Sequence, residues 1–269
     1  MFKSISLPLI LMLLIIASCS SDDDMGNAQE VNKDYFPLVV DNSWSFFNET
    51  TTADGSTSSS ETMNIASEEM LNDTLFFQAE TDNNTATITT TSILSGGELF
   101  KEEGKLMIKG QFGDLISSLP AGLSLPVEAN IIPIYSKNAG ANAELFAESG
   151  SFTETVNDLN LSMDFTLSSQ NLSVGNSMEV DGTTYQDVLS ANVTLNMQIT
   201  ASPGDIPFTI TVLDQQDVFS STHHFANEVG IIKSEIATSF DFEELPDIDL
   251  PDVNTSTVQE LGSSNVILP

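Results

Sequence analysis

Leu159-Asn160-Leu161-Ser162-Met163-Asp164-Phe165-Thr166-Leu167 decides how this chain of 269 residues folds. Apolar and polar residues alternate without a break. In an extended strand successive side chains point to opposite sides, so five apolar side chains share one face and four polar ones the other. Such a strand belongs to an antiparallel sheet with one packed side and one wet side. Val193–Ile199 (VTLNMQI) and Phe208–Val212 (FTITV) repeat the pattern.

Working outward, turn residues separate further β-rich runs. Strands are predicted at Asn42–Phe47, Thr62–Ser67, Thr74–Glu80, Ala86–Leu94, Leu99-Phe100 and Lys105–Lys109, and as a pair at Asp217–Phe225 and Ile231–Phe242. Asp54-Gly55 and Asp181-Gly182 have the chemistry of tight hairpin turns, and Leu71-Asn72-Asp73, Ser95–Glu98, Glu102-Glu103-Gly104 and Asn227–Gly230 mark others. No apolar stripe with helical spacing persists beyond the leader. The expected fold class is all-β, as a single curved antiparallel sheet, a sandwich or a partly open barrel over residues 35–242. A short irregular or helical insert is expected around 113–150, where Pro120, Pro126 and Pro133 interrupt the pattern and Ala141–Glu148 would make two helical turns. Residues 243–269 read as a loosely attached acidic tail with Pro246 and Pro251, although Val266-Ile267-Leu268 would suit an edge.

Charge limits the partners. There are 39 acidic residues against seven lysines and no arginine, for a formal charge of -32. Binding to nucleic acid rests on Lys and Arg neutralising phosphates, so neither DNA nor RNA is an expected partner. An anionic membrane face would repel the chain as well. The acidity does not imply disorder, because 40% of residues are hydrophobic and 16 are Phe, enough for a packed core. Carboxylates in such excess repel one another, and salt screens them; the thermal midpoint is expected to rise from low salt to about 0.5 M NaCl.

The first residues set the address. Met1–Ser4 carries Lys3, and Ile5–Ala17 is an apolar run with Pro8 inside it. About 20 apolar residues are needed to cross a bilayer, and this run is shorter, so residues 1–18 read as a signal peptide. Ile16-Ala17-Ser18-Cys19 resembles the lipobox of bacterial lipoproteins. The resemblance implies cleavage between Ser18 and Cys19 and diacylglyceryl and acyl chains on Cys19, the only cysteine. A single acyl chain holds marginally at about 0.8 kcal/mol per buried CH₂, whereas two or three hold firmly. Residues 19–34 then read as a lipidated acidic tether. Ser20-Ser21-Asp22-Asp23-Asp24 is similar to the short acidic signal with which Bacteroidetes send lipoproteins to the exterior face of the outer membrane, which implies the lipoprotein export machinery as a partner.

Three more stretches carry a resemblance. Tyr35–Trp44 (YFPLVVDNSW) looks like the YFPLxxGNxWxY opening of Bacteroidetes outer-membrane lipoproteins of unassigned function, with Asp41 in place of Gly and Phe46 in place of Tyr. Phe225–Glu235 (FANEVGIIKSE) resembles their YAxGVGLVKSE closing hairpin, and Gly182–Leu189 (GTTYQDVL) resembles their GxTYxDVL segment. Together they cover about thirty residues in the family's order. That family brings no catalytic motif to transfer, so it bears on address and fold.

Few residues offer chemistry. No nucleophile elbow, P-loop or dinucleotide fingerprint occurs, and no pair of carboxylates is marked out for acid–base work. His223 and His224 are the only histidines; as strand neighbours they point to opposite faces, and no metal site is expected from them. Asp247, Asp249 and Asp252 suit weak Ca²⁺ at most, lacking the Gly and terminal Glu of an EF-hand loop. No enzyme and no cofactor beyond the lipid on Cys19 are expected. Asp73-Thr74-Leu75 fits the short O-glycosylation acceptor of Bacteroidetes, which singles out Thr74. Trp44 and Phe46 are candidates for stacking on a ligand or for the core. Three roles remain open: a surface lipoprotein binding a glycan, a peptide or a membrane-protein partner; a periplasm-facing carrier holding a lipid or other apolar molecule in a curved sheet; and a structural envelope protein.

Overall fold

The structure, a computed structural model, describes residues 33–83, 87–110, 131–156, 159–203, 209–244 and 250–269. It is an up-and-down meander of twelve antiparallel strands: β1 (Ser43–Thr52), β2 (Gly55–Leu71), β3 (Thr74–Thr81), β4 (Glu98–Glu102), β5 (Lys105–Lys109), β6 (Ile132–Ser136), β7 (Glu144–Val156), β8 (Leu159–Val180), β9 (Thr183–Pro203), β10 (Ile210–Ala226), β11 (Gly230–Phe240) and β12 (Val253–Asn265). One helix, α1 (Thr90–Ser95), lies between β3 and β4. The sheet order is β6-β5-β4-β3-β2-β1-β12-β11-β10-β9-β8-β7. First and last strands therefore pair at the middle of the sheet, and its two edges, β6 and β7, are consecutive in sequence. The sheet curls until these edges face each other, which makes a nearly closed barrel.

A side chain bridges the seam. Asn171 of β8 is fully buried; its Oδ1 accepts from the Ser136 backbone N at 3.1 Å, and its Nδ2 donates to the carbonyls of Ser136 at 2.7 Å and Ala139 at 3.0 Å. The amide thus offers the end of β6 one donor and one acceptor, as a neighbouring strand would. An edge that would otherwise expose unpaired backbone groups is covered.

Because odd-numbered strands run one way and even-numbered strands the other, connections alternate between two ends. At the end where the chain enters, none exceeds seven residues: two after β2, two after β4, seven after β6, two after β8 and three after β10. At the far end only the turns after β1 and β7 have two residues; the connections after β3, β5, β9 and β11 have 16, 22, six and twelve.

The alternation assigns the core. Inward positions of β9, from Ala191 through Val193, Leu195, Met197 and Ile199 to Ala201, are all buried, as are Leu161, Met163 and Leu167 of β8. Aromatic side chains fill the entry end, with Trp44, Tyr35, Phe36, Phe46 and Phe225 at 1% exposure or less. The predicted turns at Asn72-Asp73, Glu103-Gly104 and Asp181-Gly182 each lie between paired strands, and that at Asp54-Gly55 joins β1 to β2, with Gly55 already paired to Thr52.

Three expectations are corrected. The segment read as a loose tail, 243–269, contains β12, which pairs with both β1 and β11 in the middle of the sheet. Its inward residues are Thr257, Gln259 and Leu261, so the apolar alternation that marks other strands is missing. Ala141–Glu148, expected to be helical, leads into β7, an edge strand whose side chains are mostly exposed or half-buried. Ala86–Leu94, expected as strand, holds most of α1. There Thr89 caps the helix, its hydroxyl accepting from Ser92 N while the Ser92 hydroxyl accepts from Thr89 N, and this capping box with burial outweighs the β-branched composition. Of the insert expected at 113–150, residues 113–130 lie outside the described residues, and 132–136 and 144–150 are strand.

Candidate functional site

Two arrangements of polar groups set this barrel apart from a plain apolar core: a clasp at the entry end and a polar layer inside.

The clasp ties the lead-in segment to the barrel. Asp34 N donates to Asn227 Oδ1 at 2.9 Å, and Glu228 N donates to the Asp34 carbonyl at 2.7 Å. Asp187 receives the Tyr35 hydroxyl at 2.9 Å and forms an ion pair with Lys33 at 2.8 Å. That carboxylate is aimed inward by a bulge, because Asp187 and Gln186 face one residue of β8 and Asp187 has a φ of 55°. Hydrogen bonding to Asp187 raises the Lys33 ammonium above its ordinary range, and burial, ahead of the same carboxylate, raises the Tyr35 hydroxyl. Phe36 stacks on Trp44 at 4.9 Å, and Trp44 Nε1 donates to the Val229 carbonyl at 2.6 Å. Gly230 is required here: its φ is 104°, and a Cβ would lie 2.6 Å from Trp44 Nε1. Buried Asn42 donates to the carbonyls of Pro37 and Ile267 and accepts from Ile267 N at 2.6 Å, which fixes the C-terminal residues to the same place. The segments 35–44, 182–189 and 225–235, singled out separately in the sequence, meet in this clasp.

The polar layer lies beneath α1. On β1 the inward positions change from Trp44 and Phe46 to Asn48 and Thr50, and on β2 from Ile65 and Met63 to Glu61. Glu61 is 3% exposed. Its carboxylate accepts from Thr89 Oγ1 at 3.2 Å and from Gln259 Nε2, and the side chains of Thr91 and Asn48 also hydrogen-bond it. Burial nevertheless holds the carboxyl above the usual carboxylate range. Among the described residues no lysine or histidine forms an ion pair with it. Nearby on α1, the Thr90 hydroxyl lies 3.3 Å from Nδ1 of buried His223, whose Nε2 lies 3.1 Å from the Ser221 hydroxyl. Burial, with a smaller contribution from His224, pushes His223 down to about 3, so it is neutral at ordinary pH. Beside this layer a cavity of about 220 Å³ is lined chiefly by threonines, among them Thr50, Thr238 and Thr257.

Other residues singled out in the sequence fall elsewhere. Trp44 and Phe46 belong to the core. His223 points inward and half-buried His224 the other way, with its Nδ1 2.7 Å from the Ser190 hydroxyl. Half-buried Thr74 opens β3 directly after the β2–β3 turn. Asp252 Oδ1 accepts from Phe242 N at 2.9 Å, while Asp247 and Asp249 lie outside the described residues. So do Ser18, Cys19, Ser20, Ser21, Asp22, Asp23 and Asp24. Among the described residues no group of three or more His, Cys, Asp or Glu side chains is placed to hold a metal. Sequence reasoning passed over Asn48, Glu61 and Gln259. The available signal was a run of polar residues in the inward phase of β1 and β2, legible once Trp44 is known to be buried.

No protein-family model matches the chain, and no curated protein matches it. Among solved structures, it is similar to a candidate lipoprotein of Parabacteroides distasonis, at 12% identity and a TM-score of 0.41, over 85% of this chain and 98% of that one. It is also similar to a candidate exported protein with a YmcC-like fold from Bacteroides fragilis, at 10% identity and a TM-score of 0.35, over 86% and 98%. A porin matches at 9% identity and a TM-score of 0.24, over 81% and 98%. Likenesses at this level transfer nothing about a site or a role.

Proposed function

We propose that this chain is a lipid-anchored, non-catalytic protein of the outer membrane, facing the cell exterior, whose barrel presents a binding surface for a glycan, a peptide or a membrane-protein partner. The observation that carries this reading is the contrast between the barrel's two ends. Where the chain enters, turns are short and the lead-in segment is clasped to the sheet, an arrangement suited to transmitting the pull of a tether into the core. At the far end three connections have 12, 16 and 22 residues, against at most seven at the entry end, and long connections on a rigid scaffold are where binding residues concentrate. The interior works against a carrier of an apolar molecule, because aromatic side chains fill the entry half. The cavity of about 220 Å³ is also threonine-lined and smaller than the roughly 300–1,000 Å³ of typical ligand sites.

The turn after β1 gives a direct test, since a lipidated Cys19 has no free thiol and Asp54→Cys would add one at the far end. A membrane-impermeant maleimide is expected to label Asp54→Cys on intact cells. Labelling only after the outer membrane is permeabilised would favour the periplasm-facing alternative instead.

A further inference from the structure

Among the described residues, Phe47 is the only aromatic side chain left exposed, at 62%. It follows buried Phe46 on β1 and so points away from the core, onto the outer wall of the barrel. A lone exposed apolar side chain is ordinary, but the wall is shaped around this one. Ser45 faces Ser263 and Phe46 faces Leu261, so Gly262 is an extra residue, a bulge in β12 beside Phe47. A Cβ on Gly262 would lie 2.5 Å from Phe47 Cε2 and 3.0 Å from Cδ2. The φ of Gly262 lies outside the left-handed region, so its backbone would accept a side chain; it is the ring that needs the space.

The ring borders a hollow of about 340 Å³, within the roughly 300–1,000 Å³ of typical ligand sites. Ser45 and Thr62 are cross-strand neighbours there, with hydroxyls 3.1 Å apart, and Ser60 and Ser263 add two more hydroxyls. Asp82 closes one side, its carboxylate accepting from Thr62 N at 2.6 Å. Glu260, opposite Phe47 on β12, lies 3.6 Å from Lys233. Among the described residues no aliphatic and no basic side chain lines the hollow. An aromatic surface suits an apolar face on a ligand, and hydroxyls, which both donate and accept, suit groups that do the same. A sugar ring offers both, with C–H groups on its face and hydroxyls around its edge. A phosphate, sulfate or uronate would meet Asp82 with no lysine to offset it. A cationic side chain could use the ring and Asp82, but it only donates, and the hydroxyl protons around it would go unmatched.

We propose that Phe47, with the hydroxyls of Ser45, Ser60, Thr62 and Ser263 and the Asp82 carboxylate, is a subsite for one ring of a neutral glycan on the outer wall of the barrel. The inference rests on the reading of the barrel as a binding protein and selects the glycan from its three ligand classes. It adds a contact on the wall, formed by β1, β2, β12 and the residue after β3, to the far-end connections. A ring that merely shielded a strand glycine would account for Gly262 but not for a hollow rimmed by hydroxyls.

The test is affinity electrophoresis of the full mature chain, in non-ionic detergent, through native gels cast with α-glucan, β-glucan, mannan or xylan, and with polygalacturonate as the anionic control. The wild type is expected to be retarded in at least one neutral gel and not by polygalacturonate. Phe47→Ala is expected to raise the half-effective polysaccharide concentration about tenfold or more, and Phe47→Tyr, which keeps the ring, to stay within about twofold of the wild type. Phe47 is exposed, so Phe47→Ala should keep the wild-type far-ultraviolet circular dichroism. No retardation of the wild type in any neutral gel would overturn the subsite, as would equal retardation of the wild type and Phe47→Ala. If Phe47→Ala weakened binding of a lysine-rich peptide and left every neutral gel unchanged, the subsite would be overturned and assigned to a basic peptide instead. Binding in detergent does not depend on which way the barrel faces, so this result and the labelling of Asp54→Cys can fail separately.

Discussion

The two ends of this barrel handle buried polar groups differently. At the entry end Asn42 makes three side-chain hydrogen bonds, Trp44 reaches a carbonyl, and Asp187 takes both a hydroxyl and an ammonium; at the seam Asn171 also makes three, and of the buried side chains described there only the Ser169 hydroxyl beside it on β8 lacks a partner. In the layer beneath α1, Asn48 and Gln259 keep unpartnered oxygens around a buried carboxylate. A saturated network specifies one geometry, while an incomplete one carries a cost in stability. The contrast teaches where this chain spends packing on being held in place and where burial is left uncompensated.

Breaking the saturated end should cost most. Trp44→Ala removes a fully buried indole that stacks on Phe36 and leaves the Val229 carbonyl without its donor, so we expect a loss of about 4 kcal/mol in urea unfolding. Asn171→Ala strips a donor and an acceptor from Ser136 at the seam, with an expected loss of about 3 kcal/mol. A loss in either variant below 1 kcal/mol would mean that the network is not what holds that part of the sheet.

The layer beneath α1 should show itself through pH. His223 is neutral in the fold down to about 3 but takes a proton near 6.5 once unfolded. Below pH 6.5 the unfolded chain therefore binds more protons, and stability falls with pH until about 3. Between pH 7 and pH 5 the loss from this group should be about 2 kcal/mol. His223→Gln should remove that share of the slope, and equal slopes in both proteins would contradict the assignment. The smallest effect belongs to the rim of the clasp. Lys33 and Asp187 are 43% and 27% exposed, so Lys33→Met should cost under about 1 kcal/mol, and less at high salt.

Much of this contrast was legible in the residues. The alternation at Leu159–Leu167 and the Asp-Gly turns follow from local geometry and led to the right class of sheet. The β12 strand escaped notice because its inward positions, Thr257 and Gln259, face the polar layer; periodicity registers a strand only when its buried side is apolar. Helix α1 owes its form to a capping box and to burial inside the barrel, and the second of these cannot be read from the threonine-rich run Thr89-Thr90-Thr91. For the same reason the meeting of Glu61 with Gln259, 198 residues apart, had no local signal. The clasp lay between these cases: its segments stood out one by one, but their convergence depended on the pairing of first and last strands.

The most direct measurement asks whether the end that is clasped is also the end that is moored. Cells expressing the wild-type chain and a Cys19→Ala variant would be grown with labelled palmitate. The wild type should carry label and sediment with membranes, and the variant should do neither. Equal labelling of the two, or no label on the wild type, would contradict a barrel tethered through the residues that lead into Lys33.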